Sequence, residues 1–184
     1  GRDPLLDQNT QAMLERRATE AIWLVEHAPV ITAGTSADPA ELVDGGRFPV
    51  VSAGRGGRYT YHGPGQRVVY PMLDLGGRGR DVRRYVEALE GWAIAALYDL
   101  GVKAFRHDAG TGIWVNTPLG LAKIGAIGVR VRRWISFHGL SINVSNDLTH
   151  YDAIVPCGIS GLGVTRLADL VPSAGMADLD AALV

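Results

Sequence analysis

Two side chains in this 184-residue chain could form a reactive pair: its single cysteine, Cys157, and a lysine, Lys123, within an apolar segment. Cys157 stands between Pro156 and Gly158, where a thiol can be exposed or strained, and one thiol cannot form an intramolecular disulfide. An ammonium close to a cysteine lowers the thiol pKa from its reference value of about 8.5. The pair therefore predicts a thiolate nucleophile at neutral pH.

Each of the two residues also has an ordinary structural explanation. Free cysteine is among the most buried residue types and usually packs as a small hydrophobe. A lysine in an apolar, glycine-punctuated run either extends its ammonium to solvent or has a function, because burying an ammonium without a partner is costly. Spacing alone leaves these alternatives open.

Length and composition restrict the class of protein. A chain of 184 residues fits a single domain, residues 1–184, with a substantial core. The net charge of −1 argues against a nucleic-acid partner, and no apolar stretch approaches the roughly 20 residues that span a bilayer. The N-terminus opens no signal peptide. We expect a cytoplasmic protein without membrane association, and one cysteine agrees with a reducing compartment.

Other residue types give weaker indications. The five histidines and one cysteine show no metal-ligand spacing, so we expect no metal site. The 24 glycines cluster in residues 54–65, 76–79, 125–128 and 158–163, which are candidate ligand loops or simply turns. Positive charge is concentrated on seven arginines that form either a solvated face or a docking surface for acidic proteins: Arg78, Arg80, Arg83, Arg84, Arg130, Arg132 and Arg133.

The order of predicted elements indicates an α+β fold. Thr10 is a candidate cap for a first helix to about residue 19, and the longest helix is predicted over residues 81–100, with apolar side chains three and four residues apart. Shorter helices are expected at residues 165–170 and 176–184. Strand-like segments occupy residues 21–25, 30–33, 50–51, 59–61, 67–72, 104–106, 112–115, 119–124, 126–132, 134–138 and 140–144. Because helices and strands do not alternate, we predict a mixed, largely antiparallel sheet with packed helices.

Four separated segments combine glycine with a few polar residues: RGGRYTYHGPGQ from Arg55, KIGAIGVRV from Lys123, HGLSINV from His138, and the Pro156-Cys157-Gly158 turn. In this order they closely resemble the marks of the octanoyltransferase family, also called lipoate-protein ligase B. The resemblance runs from about residue 23 to residue 170. It implies a catalytic domain like that of biotin and lipoate protein ligases.

The resemblance also implies an activity and its partners. The family moves an octanoyl group from octanoyl-acyl carrier protein to a lysine of lipoyl domains, those of 2-oxoacid dehydrogenase complexes and the glycine cleavage H protein, in protein lipoylation. Neither ATP nor a cofactor is expected, and the family suggests a monomer. Family members usually carry an extra N-terminal segment before the first helix, so a trimmed N-terminus is one expectation.

By the same resemblance, Cys157 corresponds to the nucleophile that forms an acyl-thioester, and Lys123 to the residue that lowers the thiol pKa and transfers protons. Substrate binding is assigned to the remaining motif residues, which are Arg55, Gly56, Gly57, Arg58, Tyr59, Thr60, Tyr61, His62, Ala126, Ile127, Gly128, His138, Gly139 and Leu140. The apolar slot for the acyl chain is expected to be walled by Tyr59, Tyr61, Ile127 and Leu140.

Two of the five histidines, His62 and His138, lie in the motifs. His62 and His138 could either hold their loops by hydrogen bonds or contact substrate, and the sequence does not choose between these roles. The other three histidines, His27, His107 and His150, match no motif, so we expect surface or structural positions for them. The family loop commonly has Thr-Asp before its Arg-Gly-Gly, whereas Ala53-Gly54 stand here, so a carboxylate contact with the arginine is not expected.

Three alternative functions fit parts of the pattern. An ATP-dependent lipoate or biotin ligase shares the fold but needs no cysteine nucleophile. A non-catalytic module that binds acyl or lipoyl carriers would not need both Lys123 and Cys157. A cysteine hydrolase with His138 as base would release the acyl group to water.

Overall fold

The computed structural model describes residues 4–15, 18–155 and 162–184. The Pro156-Cys157-Gly158 turn, and with it the predicted nucleophile, lies outside the described residues. Within them, the strands are β1 (Ala21–Val25), β2 (Val30–Ala33), β3 (Val50–Ser52), β4 (Tyr59–His62), β5 (Gln66–Met72), β6 (Ile113–Thr117), β7 (Gly120–Arg132), β8 (Ile135–Asn143) and β9 (Gly163–Val164).

Six of these strands form the main sheet: five in the order β1-β5-β8-β7-β6, and β9, which pairs with β7 beside this path. All neighbours in this order are antiparallel, while the short β9 lies parallel to β7. A second, three-stranded sheet has the order β3-β2-β4, with β2 parallel to β3 and antiparallel to β4. The prediction of a mixed, largely antiparallel sheet is confirmed.

Helices complete the fold: α1 (Pro4–Leu14), α2 (Val82–Asp99), α3 (Leu167–Leu170) and α4 (Met176–Ala182), with 3₁₀ helices at Pro39–Glu41, Leu75–Arg78 and Leu148–Ala153. The longest helix was predicted within a residue at each end. The carboxylate of Asp81 caps α2 by accepting a hydrogen bond from the backbone N–H of Arg84 at 3.0 Å. Gly101, just past the helix, has φ +85°, a left-handed conformation that favours glycine.

The main sheet is covered on both faces. One face packs against α2 and α4, and the side chains that α2 contributes, Leu89, Ala93 and Leu97, recur at the spacing of one helix face. Part of the opposite face packs against α1 through Met13 and its neighbours on the strands, Val68, Tyr70, Met72, Ile135 and Phe137. The remainder of that face lies opposite the small sheet.

The first helix differs from its prediction. It begins at Pro4 and ends at Leu14, so Thr10 is buried inside the helix and does not cap it. Proline is well suited to the first turn of a helix, because the N–H that it lacks would have no partner there. The apolar contact of Met13 with the sheet then sets the helix position.

Glycines interrupt the sequence pattern of β7 and β8 but not the strands themselves. Segments predicted as four short strands form two long ones, with Gly125 inside β7 and Gly139 inside β8. A Cβ atom on Gly139 would lie 2.2 Å from the carbonyl oxygen of Val69, so glycine is required where β8 and β5 approach each other. These glycines mark close backbone contact and not strand ends.

A β-bulge in β7 determines which side chains face each side of the sheet. Consecutive residues of β6, Ile113 and Trp114, pair with Gly125 and Lys123, so that Ile124 is an extra residue in β7. Before the bulge Lys123 faces the small sheet while Ile124 joins the α2 core. After it, Ala126 and Gly128 face the small sheet, and residues 127, 129 and 131 pack towards α2.

No helix in the described part of the chain is both long enough and apolar enough to cross a membrane.

Substitution of Gly139 by alanine tests the close strand contact. A methyl group at this position would also lie 2.5 Å from Cδ of Pro71, so we expect the free energy of unfolding to fall by about 3 kcal/mol in urea titrations. Gly77→Ala is the matched control, because no atom lies within 4 Å of its Cβ position, and it should change stability by less than about 0.5 kcal/mol. Equal effects of the two substitutions would contradict the packing argument.

Candidate functional site

A cavity of about 600 Å³ lies between the main sheet and the small sheet. Its volume falls in the range of small-molecule sites in proteins, roughly 300–1,000 Å³. Thirteen of the residues predicted from the sequence line it: Arg55, Gly57, Arg58, Tyr59, Thr60, His62, Lys123, Ala126, Ile127, Gly128, His138, Gly139 and Leu140. Three motifs that are distant in sequence therefore meet around one space.

Two predicted residues lie elsewhere. Gly56 does not line the cavity, and its N–H donates to the carbonyl of Val129 at 2.9 Å, which ties the loop to β7. Tyr61 is fully buried behind β4, where its hydroxyl and Nδ1 of His150 are hydrogen-bonded at 2.7 Å. Tyr61 thus packs in a core cluster and does not wall the cavity, because side chains alternate along a strand and Thr60 and His62 face the cavity instead.

Lys123 lies at one edge of the cavity and is only 7% exposed. Its Nζ donates to the carbonyl of Thr111 at 3.1 Å and lies 4.5 Å from the ring centroid of Trp114, a cation–π contact. The strand β9 runs alongside, with Val164 opposite Lys123 and the N–H of Thr165 donating to the Lys123 carbonyl at 3.0 Å. The Lys123 side chain is thus largely shielded from solvent and lies beside a cavity large enough for a small molecule.

Arg55 fixes the loop that follows β3. Its guanidinium donates to the carbonyl of Thr32 at 2.8 Å and to the Thr32 hydroxyl at 2.7 Å, and its Nη1 donates to the carbonyl of Gly56. The side chain is buried and passes beneath Gly128, where a Cβ atom would lie 2.8 Å from Cδ of Arg55. The arginine therefore both lines the cavity and holds its rim.

His62 is buried and neutral. Loss of hydration lowers its pKa to about 3, the nearby charges of Arg55 and the two other cavity histidines act in the same direction, and the bond to Gln66 opposes them. Nδ1 of His62 donates to Oε1 of Gln66 at 2.7 Å, because the Gln66 amide nitrogen already donates elsewhere. Nε2 of the neutral ring is consequently the acceptor nitrogen.

A chain of buried amides connects His62 to the neighbourhood of Lys123. Gln66 donates to Oδ1 of Asn143 at 3.0 Å, and the hydroxyl of Tyr151 donates to the same oxygen at 3.0 Å. The Asn143 amide nitrogen in turn donates to the carbonyl of Thr165 at 3.0 Å. The network thus joins the loop after β4, the end of β8 and the chain on both sides of residues 156–161.

Cavity residues that the sequence did not indicate come mainly from β2, β5 and the segment between β1 and β2. His27 was expected at a surface or structural position, but it lines the cavity, where its Nε2 and the hydroxyl of Tyr70 are hydrogen-bonded at 2.6 Å. Its ring lies 5.8 Å from that of His62. No spacing in the sequence marks this contact, because β1 and β5 are brought together only by sheet pairing. Among the described residues, no three histidine or acidic side chains form a group that could hold a metal ion.

His138 has an unusual backbone conformation. Its φ is +57°, within β8, and the next residue, Gly139, pairs directly with Gly128 of β7. A non-glycine residue in the left-handed region costs about 1–2 kcal/mol, and such strain is concentrated at functional sites. The side chain faces the cavity and its ring stacks on Phe137 at 5.4 Å between centroids.

The chain is similar to known proteins over almost its whole length. The family model of the lipoyl protein ligase A/B catalytic domain matches residues 6–184. The chain belongs to this family. An octanoyltransferase of Sphingopyxis alaskensis is 60% identical over 179 residues, which cover 97% of this chain and 82% of that protein. An octanoyltransferase of Zymomonas mobilis is 55% identical over 168 residues, covering 91% and 78%.

Solved structures of lipoate protein ligases share the fold. A bi-partite lipoate protein ligase from Thermoplasma acidophilum matches the whole chain and 78% of its own length, with a TM-score of 0.74 at 16% identity. A lipoate-protein ligase A bound with ATP matches with a TM-score of 0.71, also at 16% identity, over 100% and 79% of the two chains. The predicted ligase-like catalytic fold is confirmed.

Acid titration tests the buried neutral state of His62 in this lipoyl protein ligase A/B family member. Since its folded pKa is about 3 and its unfolded value about 6.5, its contribution to stability is complete above pH 6.5 and is lost as the pH falls below that value. Between pH 6.5 and 4.5, the free energy of unfolding should fall more steeply in the wild type than in His62→Asn, by roughly 1 kcal/mol per pH unit. The asparagine amide can still donate a hydrogen bond to Gln66.

The readout is the pH slope from chemical denaturation, so a uniform loss of stability does not obscure it. His107→Asn, in an exposed turn outside the cavity, removes a histidine as the control. An unchanged slope in His62→Asn would show that the buried ring is not the group responsible.

Proposed function

We propose that this chain is an octanoyltransferase of protein lipoylation, which moves an octanoyl group from octanoyl-acyl carrier protein to a lysine of lipoyl domains. The observation that carries the proposal is the 60% identity, across almost the whole chain, to a relative named for this activity. A largely apolar cavity with a buried lysine at its edge supports it. The proposed acceptors are the lipoyl domains of 2-oxoacid dehydrogenase complexes and the glycine cleavage H protein.

The catalytic pair in this proposal is Cys157 and Lys123. Support comes from the described residues on either side of the cysteine segment. Tyr151 and Val164 both border a small space of about 20 Å³ next to Lys123, and Gly163 pairs with Ala122. The chain therefore leaves the cysteine segment directly beside the lysine, and this supports a thiolate–ammonium pair.

The reaction follows from the chemistry of the two groups. The thiolate of Cys157 attacks the carbonyl carbon of the octanoyl thioester, and the carbon–sulfur bond to the pantetheine arm breaks. The ammonium of Lys123 gives its proton to the departing thiolate. Neutral Lys123 then takes a proton from the acceptor lysine as that amine attacks the acyl-enzyme. Amide forms, and the ammonium and thiolate are restored together.

No nucleotide is needed for this exchange, because an amide is more stable than a thioester. The proposal therefore favours a transferase over an ATP-dependent ligase, although the solved neighbours are ligases. Their 16% identity to this chain concerns the fold alone, whereas the relatives at 53–60% identity are named octanoyltransferases.

The acyl chain is proposed to lie in the cavity between the two sheets, beside the paired glycines of β7 and β8. Gly128 and Gly139 are directly opposite each other in register, and Arg55 packs against Gly128 while the Val69 carbonyl packs against Gly139, so neither position has room for a side chain. Apolar residues from both sheets line the cavity, among them Val30, Val51 and Val68, whereas the side chains of Ile127 and Leu140 pack in the core on the α2 side. Substrate binding by the other motif residues that line the cavity belongs to the same proposal.

Residues 1–184 are proposed to act as one catalytic domain and as a monomer in the cytoplasm. A free thiol nucleophile requires a reducing compartment, which supports the location. Donor and acceptor are both protein domains that bind in turn, so no second copy of the chain is needed to complete the cavity.

Intact-protein mass spectrometry tests the transfer. After mixing with octanoyl-acyl carrier protein without ATP, we expect the chain to gain one octanoyl group, which moves to an added lipoyl domain. Cys157→Ala should form no adduct because the thioester cannot form. Modification of the lipoyl domain only when free octanoate and ATP are supplied would instead establish a ligase.

The contribution of Lys123 is tested by thiol alkylation. Removal of the neighbouring ammonium in Lys123→Ala should move the pH midpoint of Cys157 alkylation upwards, towards the reference value of about 8.5. Lys103→Ala removes an exposed lysine and serves as the control. Identical alkylation profiles in the wild type and Lys123→Ala would refute the pair.

A further inference from the structure

Five exposed arginines belong to two chain segments that meet at the tip of the β7–β8 hairpin, the hairpin itself and the segment that leads into α2. We call them the hairpin patch: Arg80, Arg83, Arg84, Arg132 and Arg133. The hairpin and the segment before α2 are in direct contact, since the N–H of Leu75 donates to the carbonyl of Trp134 at 2.7 Å. The guanidinium of Arg80 also lies 5.9 Å from the ring centroid of Trp134. Residues from two parts of the chain therefore form one basic surface.

The carboxylates near the hairpin patch are already engaged. Glu20 pairs with Arg78, while Asp74 accepts from the N–H of Gly76 at 2.7 Å and Asp81 caps α2. None of the five arginines is ion-paired with a residue that the structure describes. The hairpin patch is consequently a concentration of unneutralised positive charge on a chain whose net charge is −1.

The residues of the hairpin patch do not favour local stability. The two-residue turn of the hairpin places Arg133 at φ +48° and Trp134 at φ +68°, a conformation in which asparagine and glycine are preferred. Arg80 also has a positive φ, of +52°. At the start of α2, Arg83 and Arg84 lie at the positive end of the helix dipole, where acidic side chains are the favourable choice. The fold alone does not explain these arginines.

We propose that the hairpin patch docks a protein with an acidic surface, and that this protein is the carrier of the acyl donor. The inference rests on the proposed function and adds the place where the donor binds. Opposite charges between the two surfaces would accelerate encounter and set the orientation of the complex. The carrier then lies at the Arg132 end of β7, whereas the reaction takes place near the Lys123 end.

Distance favours the donor over the acceptor. From Lys123 to Arg132, the strand β7 extends about 30 Å. Gly128, which lines the cavity, and Arg130, which contacts Gly54, lie between these two residues. A lysine side chain extends only about 6 Å from its backbone, so an acceptor must bring its own surface to the cavity. A donor presents its acyl group on a long pantetheine arm and can dock farther away.

Steady-state kinetics with two donors tests the inference. We compare octanoyl-acyl carrier protein with octanoyl-pantetheine, which has the same thioester without the protein. Arg132→Glu and the double variant Arg83→Glu/Arg84→Glu should raise the KM for the carrier-bound donor at least tenfold at low salt and leave kcat/KM for octanoyl-pantetheine unchanged. The KM for the lipoyl domain should also be unchanged.

Two controls separate docking from other effects. Lys103→Glu reverses one exposed charge beyond the other end of α2 and should keep the wild-type KM. Acidic residues in the first turn of a helix are favourable, so the double variant should keep the wild-type thermal midpoint. In the wild type, the KM for the carrier-bound donor should rise with salt concentration, and this rise should be smaller in the variants.

The possible results have distinct meanings. Wild-type KM values in both hairpin variants would overturn the docking inference while leaving the transferase intact. An increased KM for the lipoyl domain, with the donor unaffected, would also overturn it, because the patch would then bind the acceptor. Absence of transfer by the wild type from either donor would refute the proposed function itself.

Discussion

The bulge at Ile124 is the constraint on which the site depends. Without the extra residue, the alternation along β7 would place Lys123 on the same face as residues 127, 129 and 131, against α2. An ammonium in that apolar core would have no hydrogen-bonding partners and would cost several kcal/mol. The bulge instead lets the apolar side chains on both sides of it pack on α2 while Lys123 and Gly128 face the cavity.

The buried side-chain amides of Gln66 and Asn143 connect their strands to segments of the chain that are not joined to them by strand pairing or by a helix. Asn143 uses both ends of its side chain, accepting from Gln66 and Tyr151 and donating to Thr165. Such a network is stabilising only when its members are satisfied together, because an unpaired buried amide is costly. The positions of the loops around the cavity are therefore interdependent, and His62 is held in one tautomer at the end of this network.

The fold class, the long helix and most strands could be predicted because they depend on local patterns. The apolar spacing of α2 and its Asp81 cap are examples, as are the β-branched runs of β1 and β5. Gly125 and Gly139 misled the prediction, because glycine signals a break in sequence whereas here it permits two backbones to approach. The two-residue β9 has no pattern of its own and forms only against β7.

The candidate site was predictable where its residues belong to motifs, and less so where sheet pairing assembles it. Lys123 and Arg55 line the cavity as expected, while Tyr61 alternates away from it and His27 enters it from the end of β1. Neither fact can be read from spacing, since both depend on the orientation of the small sheet relative to the large one. The position of Cys157 remains a prediction, because it lies outside the described residues.

The late position of β9 in the chain has a consequence for biosynthesis. Its pairing with β7 joins residues about 40 positions apart, and contacts of such separation form slowly because a long loop must first be closed. Arg67 near the start of β5 is likewise held by Asp180 in the last helix, at 2.7 Å. The surroundings of Lys123 are thus completed only after residues 163–180 have been synthesised and have folded onto the main sheet.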